Sequence, residues 1–99
     1  MSETPLRYDT ISFLSDYGRA DEFVGVVHSV IRTLAPAVRV IDVTHDVPAH
    51  DVRAGAQVLA ACYAYFPPGT VFLAVVDPGV GSARRGLAAD VGDYRLVGP

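Results

Sequence analysis

The sequence has 99 residues, of which 51% are hydrophobic and 19% are charged, a composition that suits one domain with a compact core and argues against disorder. The formal net charge is −3 without a block of basic residues, so binding to nucleic acid is not expected. Because the N-terminus is polar and no apolar run approaches about 18 residues, we expect neither a signal peptide nor a membrane span and predict a cytoplasmic protein.

The first half of the sequence alternates between predicted strands and helices. Residues 10–14 (TISFL) predict a short buried strand, and a helix is expected from about Asp21. Residues 38–43 (VRVIDV) predict a second strand, followed by a helix over about 51–65 with Asp51 as its N-cap. Apolar residues of the first helix recur at helical spacing and form one stripe: Phe23, Val26, Val27, Val30, Ile31 and Leu34.

The second half continues the alternation and then adds strands. The single cysteine, Cys62, lies in the apolar part of the second helix, where a small buried side chain is expected and no internal disulfide is possible. FPPG at 66–69 ends this helix, and residues 70–76 (TVFLAVV) predict a strand covered on both faces. Residues 86–91 and 94–97 predict two strands that turn at Gly-Asp. The order predicts an α/β fold, a mainly parallel sheet with helices on both faces.

Polar segments follow each of the first three predicted strands. They are SDYG at 15–18, THDVPAHD at 44–51 and DPGVGSARR at 77–85. In parallel sheets, ligands bind beyond the carboxyl ends of the strands. Each segment alone is ordinary, but all three at one edge of the sheet outline a site.

The third segment allows two interpretations. GVGSAR at 79–84 is a weak match to a dinucleotide-binding fingerprint, because Arg84 replaces the third glycine; a tight turn explains the same glycines. Asp77 and Arg84 are close enough in sequence to meet across a folded loop. They would then either orient a water or a polar substrate group, or form a salt bridge that pins the loop.

The other polar residues are also open to two interpretations. Asp16 is either a turn residue or a carboxylate that accepts hydrogen bonds from both ribose hydroxyls. The spacing of the histidines and aspartates in the second segment fits no metal-ligand pattern, so no metal site is predicted, and caps and turns are the expected roles of His45, Asp46, His50 and Asp51.

Four segments in register resemble one known family. FLSDYG, DVTHDVPAHDVRAGA, YFPPGTVFLAVVDPGVGSARR and the terminal LVGP are similar to the S-adenosyl-L-methionine (SAM) hydroxide adenosyltransferases, the adenosine-forming SAM hydrolases related to the SAM-dependent fluorinase and chlorinase. The resemblance covers nearly the whole chain. It implies that residues 1–99 are an incomplete N-terminal α/β domain that binds SAM or a nucleoside. The family's C-terminal β-barrel domain lies outside these residues.

The resemblance also implies roles for particular residues. Asp77 and Arg84 occupy the first two places of the family's Asp–Arg–His triad, which positions and activates water; the histidine lies outside this sequence. Asp16 matches the carboxylate that binds the ribose hydroxyls. His50 falls at a loop position that packs beside the nucleoside in halide-using relatives, and Gly79 belongs to the turn whose backbone approaches the ligand.

The implied activity is hydrolysis of SAM to adenosine and L-methionine, with SAM as substrate and no cofactor. The family builds its sites between subunits, usually of a homotrimer, so these 99 residues alone are expected to be inactive. Two alternatives stay open: a non-catalytic module that binds SAM or adenosine, and a SAM-dependent halogenase. The Asp77 and Arg84 pair favours water over a halide, because a halide needs no deprotonation.

Overall fold

The computed structural model describes residues 8–77, 86–91 and 94–99. These residues form a five-stranded sheet with two α-helices, which confirms the predicted α/β fold. The elements, in chain order, are β1 (Thr10–Ser15), α1 (Phe23–Leu34), β2 (Arg39–Thr44), α2 (Val52–Cys62), a 3-10 helix (Tyr63–Tyr65), β3 (Thr70–Val75), β4 (Leu87–Val91) and β5 (Tyr94–Gly98). Neither α-helix in this part of the chain is long and apolar enough to cross a bilayer.

The sheet has the strand order β2-β1-β3-β5-β4. β1 pairs in parallel with both β2 and β3, β3 pairs in parallel with β5, and β4 runs antiparallel to β5, as the predicted turn between them requires. Because β1 lies between β2 and β3, the chain crosses to opposite sides of it, and the carboxyl ends of β1 and β3 form a topological switch point.

The two helices cover opposite faces of the sheet. Successive residues of a strand point to opposite faces, so Phe13 and Leu14 of β1 identify the two sides. The Phe13 ring lies 6.2 Å from the His28 ring of α1. On the other side, a Cβ built on Gly55 of α2 would lie 3.9 Å from Leu14 Cδ1. The predicted placement of helices on both faces is therefore confirmed.

The core lies along the two central strands, β1 and β3. Its buried apolar side chains are Phe13, Leu14, Val47 and Phe72, and Phe72 packs edge-on against the rings of Phe66 and Tyr94, each 5.4 Å away. Several polar side chains are buried with them, namely Thr10, Ser12, Ser15, His45 and Thr70. Buried polar groups generally need hydrogen-bond partners. Two of these residues, Ser15 and His45, are partners of each other and lie next to the candidate site described below.

α1 exposes part of its apolar stripe. Val27 and Ile31 are half-buried, whereas four members of the predicted stripe are 50% to 79% exposed: Phe23, Val26, Val30 and Leu34. The stripe is therefore wider than the surface that the sheet covers. The helix also begins at Phe23 rather than Asp21, because the Asp21 carboxylate turns back to accept the Phe23 N–H over 3.0 Å.

α2 begins as predicted and ends earlier. Asp51 is its N-cap and accepts the Ala54 N–H over 2.9 Å. The α-helix ends at Cys62, which is half-buried, and the predicted last turn is a 3-10 helix instead. Gly55 is buried against the sheet, where an added Cβ would lie 3.0 Å from Val76 Cγ2, so this glycine allows the helix to approach β3 closely.

A second glycine sets the distance between two strands. A Cβ built on Gly98 at the end of β5 would lie 2.5 Å from the carbonyl oxygen of Ala74 in β3. Real Cβ atoms do not approach a backbone atom so closely. The glycine of the terminal LVGP segment therefore belongs to the packing of β5 on β3.

Candidate functional site

A cleft of about 560 Å³ opens at the carboxyl ends of β1 and β3. Its wall includes Asp16 from the loop after β1, His50 from the loop after β2 and Asp77 from the end of β3. Tyr17 and Phe23 supply aromatic surface beside them. Three residues predicted from separate polar segments thus lie around one cleft, at the place where α/β sheets bind ligands.

Asp16 is held from two directions. Its N–H continues the parallel ladder by donating to the carbonyl oxygen of Val75 over 3.2 Å. Its Oδ2 accepts the backbone N–H of His50 over 2.7 Å. A carboxylate has about four acceptor positions, so this bond leaves Asp16 capacity for a diol or another pair of donors.

His50 has a left-handed backbone, with φ of 64°. Left-handed residues other than glycine are uncommon, and they concentrate where the surrounding structure imposes the conformation. The imidazole is exposed on the cleft wall, in the region where the sequence placed it. The contribution of its main chain to holding Asp16 was not predicted, because a histidine carries no sequence signal for this conformation.

Tyr17 lines the same cleft as the two carboxylates, Asp16 and Asp77. Burial raises the pKa of the Tyr17 phenol above its usual value, and the negative charges of Asp16 and Asp77 raise it further. Both carboxylates are therefore close enough to act on one phenol, which stays neutral at physiological pH. The Tyr17 ring packs against Phe13 and Phe23, at 6.3 Å and 5.9 Å. Sequence reasoning treated Tyr17 only as part of a turn and missed its place in the cleft.

Two predicted site residues, Arg84 and Gly79, lie outside the described residues. The pairing of Arg84 with Asp77 and the approach of the Gly79 backbone to a ligand therefore stay predictions. Asp77 itself is half-buried at the end of β3 and faces the cleft.

A hydrogen-bond network lies behind the cleft. Ser15 Oγ is 2.6 Å from His45 Nδ1, and His45 Nε2 is 2.7 Å from Asp42 Oδ1. We call these three residues the Ser15–His45–Asp42 network. His28 of α1 also reaches Asp42, with Nε2 at 2.9 Å and 3.0 Å from the two carboxylate oxygens.

The chemistry of Asp42 gives this network a direction. Burial raises the pKa of Asp42, but hydrogen bonds from His28 and His45 lower it, and the net pKa is below the ordinary value. An ionised carboxylate only accepts hydrogen bonds. His45 Nε2 is therefore protonated, and its N–H donates a hydrogen bond to Asp42. In the neutral imidazole, Nδ1 then accepts the hydroxyl of Ser15.

Sequence reasoning missed this network. It assigned His45 to caps and turns and gave neither His28 nor Asp42 a functional role. The available signal was the spacing of Asp42 and His45, which lie three positions apart across the end of a strand. Ser15 lies 30 positions earlier and joins them only because β1 and β2 are neighbours.

The remaining polar residues of the second loop point in different directions. Asp46 lies 3.8 Å from Arg19, Asp51 caps α2, His45 belongs to the network and His50 lines the cleft. Within residues 8–77, 86–91 and 94–99, no three histidine, cysteine or acidic side chains are grouped so that they could hold a metal ion.

Comparison with known proteins gives consistent relatives. A family model described as the SAM hydroxide adenosyltransferase N-terminal domain matches residues 11–99. A Salinispora tropica protein named (R)-S-adenosyl-L-methionine hydrolase is 60% identical over 89 residues, which are 90% of this chain and 34% of the relative. A Thermus thermophilus protein of the same name is 47% identical, with the same coverage. An Actinoplanes protein named fluorinase is 35% identical over 78 residues, which are 79% of this chain and 26% of the relative.

Solved structures support the same fold. A conserved hypothetical protein from Thermus thermophilus superposes with a TM-score of 0.81 at 47% identity and covers 91% of this chain and 37% of its own. An uncharacterised conserved protein from Thermotoga maritima superposes with a TM-score of 0.85 at 40% identity. This match covers 90% of the present chain and 35% of the Thermotoga maritima chain. The chain thus spans about a third of the length of these relatives. The family model, the named relatives and the solved structures confirm the resemblance seen in the sequence. The chain belongs to the SAM hydroxide adenosyltransferase family.

Proposed function

We propose that the protein hydrolyses SAM to adenosine and L-methionine, with a water-derived oxygen displacing methionine at the ribose C5′ carbon. The observation that carries the proposal is the convergence of Asp16 and Asp77 on one cleft at the switch point of the sheet. Relatives named SAM hydrolase, at 60% and 47% identity, support the same substrate. The lower identity of the fluorinase, 35%, supports water over a halide.

The reaction asks two things of the protein. The water oxygen forms a bond to C5′ while the C5′–sulfur bond breaks, and methionine leaves as a neutral thioether that needs no acid. The site must therefore align water opposite sulfur, which is an entropic task, and accept the proton that the water loses. Nothing is oxidised or reduced, so the proposed chemistry needs no cofactor beyond the substrate.

The residues divide these tasks in our proposal. Asp77 orients the water and helps to take its proton, together with Arg84 and a histidine outside this sequence. Asp16 accepts the ribose hydroxyls, and His50 and Gly79 lie along the nucleoside. Both carboxylates line one cleft, and both raise the pKa of the Tyr17 phenol, which supports this arrangement. Negative charge there complements the sulfonium of SAM.

The assembly forms part of the proposal. Because the chain spans about a third of its relatives, we propose that residues 1–99 hold part of the site and are inactive alone. The rest would come from further sequence, with sites between the subunits of a homotrimer. The proposed substrate-handling domain is residues 1–99, and the proposed location is the cytoplasm, which cell fractionation would check.

One experiment tests the activity. The full-length protein is incubated with SAM, with and without chloride, and the products are separated by chromatography. Adenosine in both conditions is the expected result. A nucleoside product that depends on chloride would instead identify a halogenase. SAM binding without any product would identify a non-catalytic binding module.

A further inference from the structure

The turn that contains Asp16 is hydrogen-bonded to His45. The Gly18 N–H donates to the carbonyl oxygen of His45 over 2.7 Å, and the Tyr17 N–H donates to Ser15 Oγ over 3.2 Å. Ser15 Oγ in turn lies 2.6 Å from His45 Nδ1 and donates its O–H to this nitrogen when the imidazole is neutral. Ser15, directly before Asp16, is thus bonded to the His45 ring, and Gly18, two positions after Asp16, is bonded to the His45 main chain.

The central bond of this arrangement, between Ser15 and His45, is buried. Ser15 is 0% exposed and His45 is 2% exposed. The Phe13 ring packs against the His45 ring with centroids 4.6 Å apart, and Asp42 fixes the tautomer from the other side. The buried bond between Ser15 and His45 is electrostatically stronger than the same bond in water, whereas Asp42 is 39% exposed and its bond to His45 is partly buried.

His45 also begins the loop that completes the surroundings of Asp16. Five residues later, this loop presents the His50 N–H to Asp16 Oδ2. His45 therefore sits at the junction of the two loops that define where the carboxylate points. The contact between Asp16 and His50 requires both loops to keep their relative position.

We propose that His45, oriented by Asp42 and acting through Ser15, is a positioning residue that sets the Asp16 carboxylate for the two ribose hydroxyls. The inference rests on the proposed function, because it needs a nucleoside in the cleft. His45 does not touch the ligand. A purely structural role would loosen the whole cleft, whereas a positioning role affects only the bonds that Asp16 makes.

Two nucleosides separate these possibilities. Adenosine offers both ribose hydroxyls to Asp16, and 2′,3′-dideoxyadenosine offers neither. A loss confined to adenosine therefore reports the orientation of Asp16, and an equal loss for both reports general damage. The affinities are measured by calorimetry on the full-length protein, and thermal unfolding is recorded for each variant.

A matched pair of serines provides the main test. Ser15→Ala removes the link to His45, and we expect it to weaken adenosine binding about tenfold while changing dideoxyadenosine binding less than about twofold. Ser12→Ala is the control on the same strand. Ser12 is equally buried, but within the described residues its Oγ has no hydrogen-bond partner, so both affinities should be unchanged.

A pair of histidines provides the second test. His45→Asn removes the hydrogen bond to Asp42 and should repeat the adenosine-selective loss of affinity. His28→Asn removes the other donor to Asp42 and should leave the affinities for both nucleosides unchanged. If His45→Asn does not fold, Ser15→Ala decides the question.

The outcomes also separate this inference from the proposed function. A wild-type protein that binds adenosine, with Ser15→Ala losing both nucleosides alike or neither, overturns the inference alone. A wild-type protein that binds neither SAM nor adenosine overturns the proposed function and the inference with it.

Discussion

The backbone N–H of His50 donates to Asp16 Oδ2 over 2.7 Å, across 34 positions of sequence. This bond joins the loop after β1 to the loop after β2. Because the donor is a main-chain group, replacing the His50 side chain leaves the bond in place. The imidazole and the backbone of His50 can therefore be tested separately.

Two substitutions of His50 should differ in stability and agree in function. His50→Gly relieves the left-handed backbone, with φ of 64°, so this variant should be more stable than His50→Ala by about 1 kcal/mol. Both variants lack the imidazole, and any loss of SAM affinity should be the same in both. Thermal unfolding and calorimetry provide the two measurements. A glycine variant less stable than the alanine variant would contradict the strain argument.

Removing the Asp16 carboxylate should weaken nucleoside binding. Asp16→Ala deletes the proposed acceptor of the ribose hydroxyls, and we expect adenosine affinity to fall at least about tenfold. Asp46→Ala is the matched control, since it removes the same charge from a side chain that is 67% exposed and outside the cleft lining. Equal losses for the two variants would show that net charge, rather than the position of Asp16, governs binding.

Changing Asp77 should separate turnover from binding. Asp77→Asn keeps the shape of the side chain but removes its charge and basicity. We expect hydrolysis of SAM to fall by at least about a hundredfold, with SAM affinity changed little. Asp90→Asn, which removes an exposed carboxylate paired with Arg95, serves as the control and should leave turnover unchanged. Full hydrolysis by Asp77→Asn would refute the proposed catalytic role.

Two glycines in helices should respond in opposite ways to alanine. Gly25→Ala in α1 adds a Cβ with nothing within 4 Å among the described atoms, so helix propensity should raise stability by about 0.5 to 1 kcal/mol. Gly55→Ala in α2 places a Cβ 3.0 Å from Val76 Cγ2, and we expect a net loss of about 1 kcal/mol. Val76 precedes Asp77, so turnover should fall as well. Urea unfolding and the hydrolysis assay provide the measurements, and a stabilised Gly55→Ala would contradict the packing argument.

Asp42 should contribute stability that acid removes. The pKa of this carboxyl is lower in the folded state than its ordinary value of 3.8, so the unfolded chain takes up a proton first as the pH falls. The contribution is fully present above the ordinary value and is lost as the pH falls through the folded-state value. The stability difference between wild type and Asp42→Asn should therefore be largest above about pH 4 and narrow below it.

Urea unfolding between about pH 3 and pH 6 measures this difference. His28→Gln removes one of the two donors to Asp42 and should act in the same direction with a smaller effect, because His45 remains. If the stability difference between wild type and Asp42→Asn widened as the pH falls, the stated direction of the Asp42 pKa shift would be wrong.

Much of the fold could be predicted because its signals are local. Apolar runs bounded by turn residues located the five strands, and the Asp51 cap located the start of α2. The positions of Asp16 and Asp77 at strand ends followed from the same pattern, since carboxyl ends of parallel strands share an edge.

The network behind the site could not be predicted in this way. Ser15 and His45 meet because β2 lies next to β1, and nothing in either segment specifies that neighbour. The exposure of Val26 and Val30 has a similar cause: periodicity identifies the apolar side of α1, whereas the curvature and width of the sheet decide how much of it is covered.

The close approach of Gly98 to Ala74 has a consequence for anyone who redesigns this domain. No side chain fits at position 98 without moving the main chain of β3, the strand that leads to Asp77. Position 98 carries no functional group, yet it should tolerate substitution as poorly as the position of a catalytic carboxylate would. A designed library should leave Gly98 untouched and place its diversity on the solvent side of α1.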